Sequence, residues 1–210
     1  MGMIEKVVKQ ARMPTGRFGE FCARLMNIGH RNVTRWGLGH ISINKDDTIL
    51  DIGCGGGKTI NTLAKIAAEG EIFGIDYSEV SVAVSTRINK RLIEKGQVKI
   101  LHASVDSLPF SDDMFNLVIA VESYYFWPDL INNLKEIRRV LKTGGSVILV
   151  NEMYRDERFE KRNSNWARIG DFTYYLPDEF RIFLRDAGYS SIKIEVLENK
   201  NWISVIGINT

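Results

Sequence analysis

From residue 48 onward the chain alternates short runs rich in Ile, Val, Leu and Phe with longer stretches whose apolar residues recur at three- and four-residue steps. Strands buried on both faces and amphipathic helices leave that alternation when βαβ units build a parallel sheet covered on both sides. The pattern predicts strands over residues 48–52, 71–76, 97–102, 115–121 and 145–152, with helices over 58–69, 79–95 and 130–141. Toward the end the character changes. A helix is predicted over 177–187, stopped by Gly188, and two β-rich segments, 191–197 and 202–208, are joined by the polar Glu198-Asn199-Lys200-Asn201 as a hairpin. The expected fold is therefore α/β: a seven-stranded, mostly parallel sheet with a C-terminal antiparallel hairpin strand and helices on both faces. Ahead of it, Phe18, Phe21, Leu25, Met26, Ile28, Val33, Trp36 and Leu38 lie among polar residues and predict one or two helices packed on the main unit. The division expected is a helical extension over 1–45 and a single globular unit over 46–210.

Composition narrows the function classes. Hydrophobic residues make up 44% and charged ones 26%, enough for a sizeable core and against wholesale disorder. With 28 Lys plus Arg against 26 Asp plus Glu there is no basic stripe of the kind that neutralises a phosphate backbone, so no nucleic-acid partner is expected. Cys22 and Cys54 are too few for a disulfide framework, which fits a reducing, cytoplasmic setting. Three His and two Cys without close spacing give no metal signature. The start, MGMIEKVVKQ, has charges where a signal peptide needs an apolar stretch. Runs such as 117–121 are far short of the ~20 residues that span a bilayer, and no membrane partner is expected.

The densest chemical signal is ILDIGCGGGKT, residues 49–59. An apolar strand enters a glycine turn and a helix opens directly after it, so free amides at the helix start face whatever the loop holds. Asp76 ends the next strand, about the distance downstream at which a carboxylate meets both hydroxyls of a ribose. The spacing Asp51-x-Gly53-x-Gly55-x-Gly57 differs from the dinucleotide fingerprint and places an acid inside the loop. That acid would repel a pyrophosphate and suits a ligand end bearing an ammonium or sulfonium.

With these segments in view, the chain resembles the class I S-adenosylmethionine-dependent methyltransferases, in the branch with a Leu-Pro-Phe segment before the fourth strand. LDIGCGGG (50–57) resembles the family's first motif and GIDYS (74–78) its second. SLPFSDDMFNLVIAVES (107–123) is similar to its fourth-strand region, and RRVLKTGGSVILV (138–150) to its fifth-strand entry. The resemblance covers about half of the chain. It implies a Rossmann-like methyltransferase fold and S-adenosylmethionine as cofactor, with S-adenosylhomocysteine as product. Asp51, Gly53, Cys54, Gly55 and Gly57 would shape the methionine-end pocket, Asp76 would hold the ribose, and Tyr77, Ser104 and Val105 would meet the adenine. Glu122 would face cofactor or acceptor, and the N-terminal helices would form a lid. Two positions depart from the family pattern: Ser104 where many relatives have an acid, and Asn116 where Asp is usual.

Methyl transfer from a sulfonium is an in-line displacement, so the protein chiefly aligns the acceptor and excludes water. An alcohol or phenol acceptor benefits from a general base. Tyr124, just past the fourth strand, and His30, in the lid segment, are the candidate catalytic residues, with Phe126 and Trp127 expected as packing anchors of the loop. Cys54 is expected to pack. The mixed-charge run 151–162 predicts a solvated helix face, and Trp166, Phe172, Tyr174 and Tyr175 are expected to cap an acceptor pocket. A small-molecule acceptor is the leading expectation. A protein substrate and a non-catalytic cofactor-binding role stand as alternatives, while a nicotinamide oxidoreductase fits poorly with the glycine spacing. Acceptor identity and oligomeric state are open.

Overall fold

The computed structural model describes residues 3–210; the first two residues of the expected 1–45 extension lie outside the described residues. Three helices lead the chain, α1 (Met3–Arg12), α2 (Gly16–Gly29) and α3 (Arg31–Leu38). Next come β1 (Ile49–Ile52), α4 (Lys58–Ile66), β2 (Ile72–Asp76), α5 (Glu79–Ile88), α6 (Lys90–Glu94), β3 (Val98–His102) and β4 (Phe115–Val121). The remainder is α7 (Leu130–Val140), β5 (Leu141–Asn151), α8 (Glu160–Gly170), α9 (Pro177–Asp186), β6 (Ser190–Leu197) and β7 (Trp202–Ile208). The seven strands form one sheet in the order β3-β2-β1-β4-β5-β7-β6. β1 to β5 run parallel, and β7 lies antiparallel to both β5 and β6. This is the architecture that the alternation of strand and helix signals predicts.

Successive strand residues point to opposite faces, so each apolar strand feeds two cores. Leu50, Ile52, Phe73, Ile75, Val118 and Leu149 meet Leu134 and Ile137 of α7 and Phe180 and Leu184 of α9 on one face. Ile49, Ile72, Leu117, Ile119, Ile148 and Val150 meet Val33 of α3 and Ile60, Leu63 and Ala64 of α4 on the other. Each fully buried Ile or Leu contributes roughly 1.5–3 kcal/mol, and β1 is four residues long with all four buried. Asn116, the departure from Asp, keeps the local bonding: its side-chain carbonyl accepts from the Thr48 amide at 3.0 Å and from Lys142 Nζ at 2.9 Å.

Three segments differ from the sequence expectation. The helix expected over 79–95 breaks at Asn89, whose side-chain amide donates to the Gly57 and Ser85 carbonyls at 2.9 and 3.0 Å and pins the junction of α5 and α6 to the glycine loop. β5 begins at Leu141 rather than at residue 145, with a register shift that takes the pairing from Phe115–Leu141 to Leu117–Ser146. The charged run 151–162 is mostly irregular; α8 begins only at Glu160 and extends to Gly170. Among the described residues, no helix is long and apolar enough to cross a membrane.

Candidate active site

A cavity of about 410 Å³ opens at the carboxyl ends of β1, β2 and β4, the place where open α/β sheets bind ligands. Its floor is the glycine loop. The Gly53 and Cys54 amides both donate to the Ile75 carbonyl at 2.9 Å, and the Gly57 amide closes the turn on the Cys54 carbonyl at 2.9 Å. Gly53 sits at φ +71°, and a Cβ there would lie 2.5 Å from Ser123 Cβ, so this position is closed to any side chain. At Gly55, φ +50°, a Cβ would meet only the Gly53 carbonyl oxygen, at 4.0 Å.

Two carboxylates stand in this floor. Asp51 is 1% exposed, lines the cavity, and its Oδ2 has no hydrogen-bond partner. Burial, reinforced by nearby Asp76, pushes its carboxyl up to about 8. Asp76 accepts from the Gly55 amide on Oδ2 and from the Ser78 amide on Oδ1, each at 2.9 Å, and burial raises it against those two bonds. A carboxylate offers about four lone-pair sites, so Asp76 retains capacity for a ligand's hydroxyls.

The remaining walls bring most of the sequence-predicted residues together. Tyr77, Ser104, Val105, Glu122 and His30 all line the cavity. The Tyr77 hydroxyl donates to the Arg12 carbonyl and Ser78 Oγ to the Pro14 carbonyl at 2.8 Å, which ties the segment between α1 and α2 to the end of β2. Glu122 adopts φ +54°, and its carboxyl accepts the Glu152 amide. Burial first, then the neighbouring Glu152 charge, pushes it up to about 8. Burial lowers His30 to about 4, which leaves its imidazole neutral near pH 7. Cys54 contributes to the lining, but its buried Sγ rests 3.8 Å from Ser85 Oγ, and burial holds the thiol well above its ordinary range.

Several expected residues fall elsewhere. Gly57 is not in the lining: it is the N-cap of α4 at φ +78°, and a Cβ there would collide with Ser85 Oγ and Asn89 Nδ2. Gly56 lines the cavity in its place. Tyr124 is not in the lining either. The loop after β4 turns through the 3-10 segment Tyr124–Phe126 and drives that ring into an aromatic cluster, 4.2 Å from the Tyr125 centroid and 5.2 Å from Phe180. There its hydroxyl is buried without a partner, and burial raises it far above the usual phenol range. Phe126 and Trp127 pack against the same core cluster, as expected of anchors, and line the cavity as well. Tyr174 and Tyr175 join the aromatic cluster's side of the sheet rather than the cavity, and Trp166 is exposed on α8.

Asn27 of α2 is a cavity position that sequence reasoning missed. It donates to the Gly56 carbonyl at 3.1 Å and accepts the Lys58 amide at 3.3 Å, so one α2 side chain satisfies an orphan donor at the start of α4 and holds the glycine loop. The two partners are about thirty positions downstream, and no local pattern marks such a pair.

A sheet in this strand order, with an acid in β1 just ahead of the glycine loop and a second acid closing β2, defines a Rossmann-like methyltransferase fold. The methyltransferase domain family matches residues 50–149. An uncharacterized methyltransferase of Bacillus subtilis, YdaC, is 25% identical over 86% of this chain and 92% of its own length. A demethylmenaquinone methyltransferase of Lysinibacillus sphaericus is 33% identical, over 59% of this chain and only 50% of its own length. Among solved structures, a SAM-dependent methyltransferase from Aquifex aeolicus superposes with a TM-score of 0.74 at 18% identity, covering 91% of this chain and 98% of that one. The family match, the named relatives and the fold together support a class I S-adenosylmethionine-dependent methyltransferase.

Proposed function

We propose that this chain binds S-adenosylmethionine in the cavity above the glycine loop and transfers its methyl group to a small-molecule acceptor, releasing S-adenosylhomocysteine. The observation that carries the reading is the Asp51 carboxylate, buried, unpartnered and open to the cavity. Burial keeps this carboxyl protonated near neutral pH, and an ammonium group set against it offsets the cost of ionising it. The cofactor's amino group has that chemistry. Asp51 thus holds the methionine end, Asp76 takes the ribose hydroxyls, and Tyr77, Ser104 and Val105 border the adenine. Gly55 leaves room for the ligand to approach the backbone, while Gly53 lets the loop pack against Ser123.

Bound there, the cofactor supplies an electrophilic methyl carbon for in-line displacement. The chain's own residues align the acceptor and keep water out. Met26, Phe126 and Trp127 give the acceptor side of the cavity apolar surface. Glu122 is the acid–base group at that end: with its carboxyl near 8 it exchanges a proton close to neutral pH, which suits a hydroxyl acceptor. His30, neutral at the same pH, adds a polar, uncharged wall. The helices α2 and α3 act as the lid, and Asn27 is its latch on the loop. Tyr124 has no part in this scheme. Two free, buried cysteines agree with a reducing, cytoplasmic setting.

The test is transfer of radiolabelled methyl from S-adenosylmethionine to a panel of phenols, alcohols, thiols and ring carbons, headed by demethylmenaquinone because the relatives bear its name. Label in a low-mass product that disappears in Glu122→Gln supports the reading. Label only in a protein fraction, or in no fraction although the cofactor binds, contradicts it.

A further inference from the structure

The proposed chemistry uses the inner side of α2 and leaves its outer side unexplained. Phe18, Phe21, Leu25 and Ile28 recur at steps of three and four residues and are 42%, 56%, 47% and 72% exposed. On the opposite side Gly19, Cys22 and Ala23 are buried, and Met26 and Asn27 line the cavity. Single exposed apolar residues are ordinary, but four in one row along about 15 Å of helix are not. Arg17 and Arg24, seven positions apart, share one helical angle beside that row. Both are exposed, and neither takes part in an ion pair among the described residues. The one acid of α2, Glu20, is held by Arg87 at 3.1 Å. Residues 16–38 carry Arg17, Arg24, Arg31 and Arg35 against Glu20 alone, in a chain whose whole formal charge is +2.

We propose that the outer face of α2 docks on an anionic lipid surface, with the apolar row sunk to the acyl boundary and Arg17 and Arg24 against headgroup phosphates. An apolar stripe flanked by arginines is the pattern of a helix lying in the plane of an interface. A second copy of the chain fits less well, because meeting through this face would bring like arginine rows together. The contact is a surface one, with no spanning helix, and it revises the expectation of no membrane partner. Where the methyl-transfer reading holds, docking also sets the cavity, lined by the inner side of the same helix, beside the lipid, so an acceptor dissolved there reaches it without crossing water.

The experiment is co-sedimentation of the full chain, without cofactor, with vesicles of phosphatidylcholine alone and of phosphatidylcholine containing phosphatidylglycerol. The protein is expected to sediment with the anionic vesicles. Phe21→Ser combined with Ile28→Ser should lower the partition coefficient by about tenfold or more, and Arg17→Gln combined with Arg24→Gln should lower it and flatten its dependence on salt. All four side chains are exposed, so thermal melts should stay at the wild-type value and exclude unfolding as the cause. Absence of sedimentation with either vesicle, or sedimentation unchanged in the Phe21/Ile28 variant, overturns the proposal. So does a dimer in analytical ultracentrifugation that the same variant splits, which would give this face to a second copy. Vesicle binding needs no cofactor, so its failure is separate from failure of S-adenosylhomocysteine to bind.

Discussion

The two ends of the cavity are built by different means. On the cofactor side, β1, the glycine loop and β2 place Asp51, Gly53, Gly55 and Asp76 within 26 residues of one another, by strand register and backbone hydrogen bonds. At the other end, Phe126 and Trp127 from the loop after β4 line the cavity together with Met26 and Asn27 of α2 and with His30 at its C-cap, about a hundred positions earlier. The first is a local device repeated wherever this ligand chemistry is needed. The second is assembled by tertiary packing, and in it Tyr124 is buried in the aromatic cluster while Phe126, packed on the same cluster, also reaches the cavity. In the proposed reading a motif therefore reports the cofactor, while the acceptor depends on how α2 and the β4 loop come together.

The largest effect expected from breaking the cofactor side is that of Gly53→Ala, which adds a left-handed backbone penalty to a Cβ pressed on Ser123. It should cost about 2–4 kcal/mol of stability in denaturant titration. Next comes Asn27→Ala at the seam between the two sides. It leaves the Lys58 amide and the Gly56 carbonyl without their side-chain partner, and is expected to destabilise by ~1 kcal/mol and to weaken S-adenosylhomocysteine binding severalfold. On the acceptor side, Trp127→Ala should raise the KM for acceptor while leaving S-adenosylhomocysteine affinity within about twofold; an equal loss of both would erase the distinction between the two ends. The smallest effect belongs to Tyr124→Phe. Removing a buried hydroxyl that has no partner should leave turnover unchanged and stability equal or slightly higher, by up to ~1 kcal/mol in thermal unfolding.

The pH dependence of stability sharpens the same comparison. Asp51 is raised from 3.8 to about 8, so across that window the folded chain retains a proton that the unfolded chain has released. Its contribution to stability is favourable below pH 4 and is lost as the pH climbs toward 8. Asp51→Asn removes the titration, and the stability gap in its favour should widen between pH 4 and 8 in urea titrations. A constant gap would mean that Asp51 is ionised and solvated in the free protein.

The sheet was legible because its signal is period and length. β4 and β7 lie at the bounds that their apolar runs mark, since a run buried on both faces has little freedom about where to end. What sequence left obscure were choices made by distant partners. Asn89 breaks a helical pattern because its amide reaches the Gly57 carbonyl, and α8 starts at Glu160 although the charged pattern begins nine residues earlier. In the site, the acids and the glycines with positive φ were legible, but Gly56 and Gly57 exchanged roles: Asn27 crowds one and α5 the other, and neither neighbour is visible within the loop itself. The phenol of Tyr124 was misplaced for the same reason, since the turn Tyr124–Phe126 rotates one ring out of the cavity as it rotates another in.

In the proposed reading the Asp51 carboxyl, whose Oδ2 has no partner in the free chain, receives the ammonium group of the cofactor. Calorimetric titration with S-adenosylhomocysteine at pH 7, in two buffers of different ionisation enthalpy, tests it most directly for the wild type and Asp51→Asn. A carboxyl near 8 that becomes ionised against an ammonium must release its proton on binding, approaching one per ligand. The account predicts that release in the wild type, a smaller one in the variant, and an affinity loss of roughly tenfold to a hundredfold, the ~1.5–3 kcal/mol of a charge-assisted hydrogen bond. Equal affinity and equal proton release in the two proteins would contradict it.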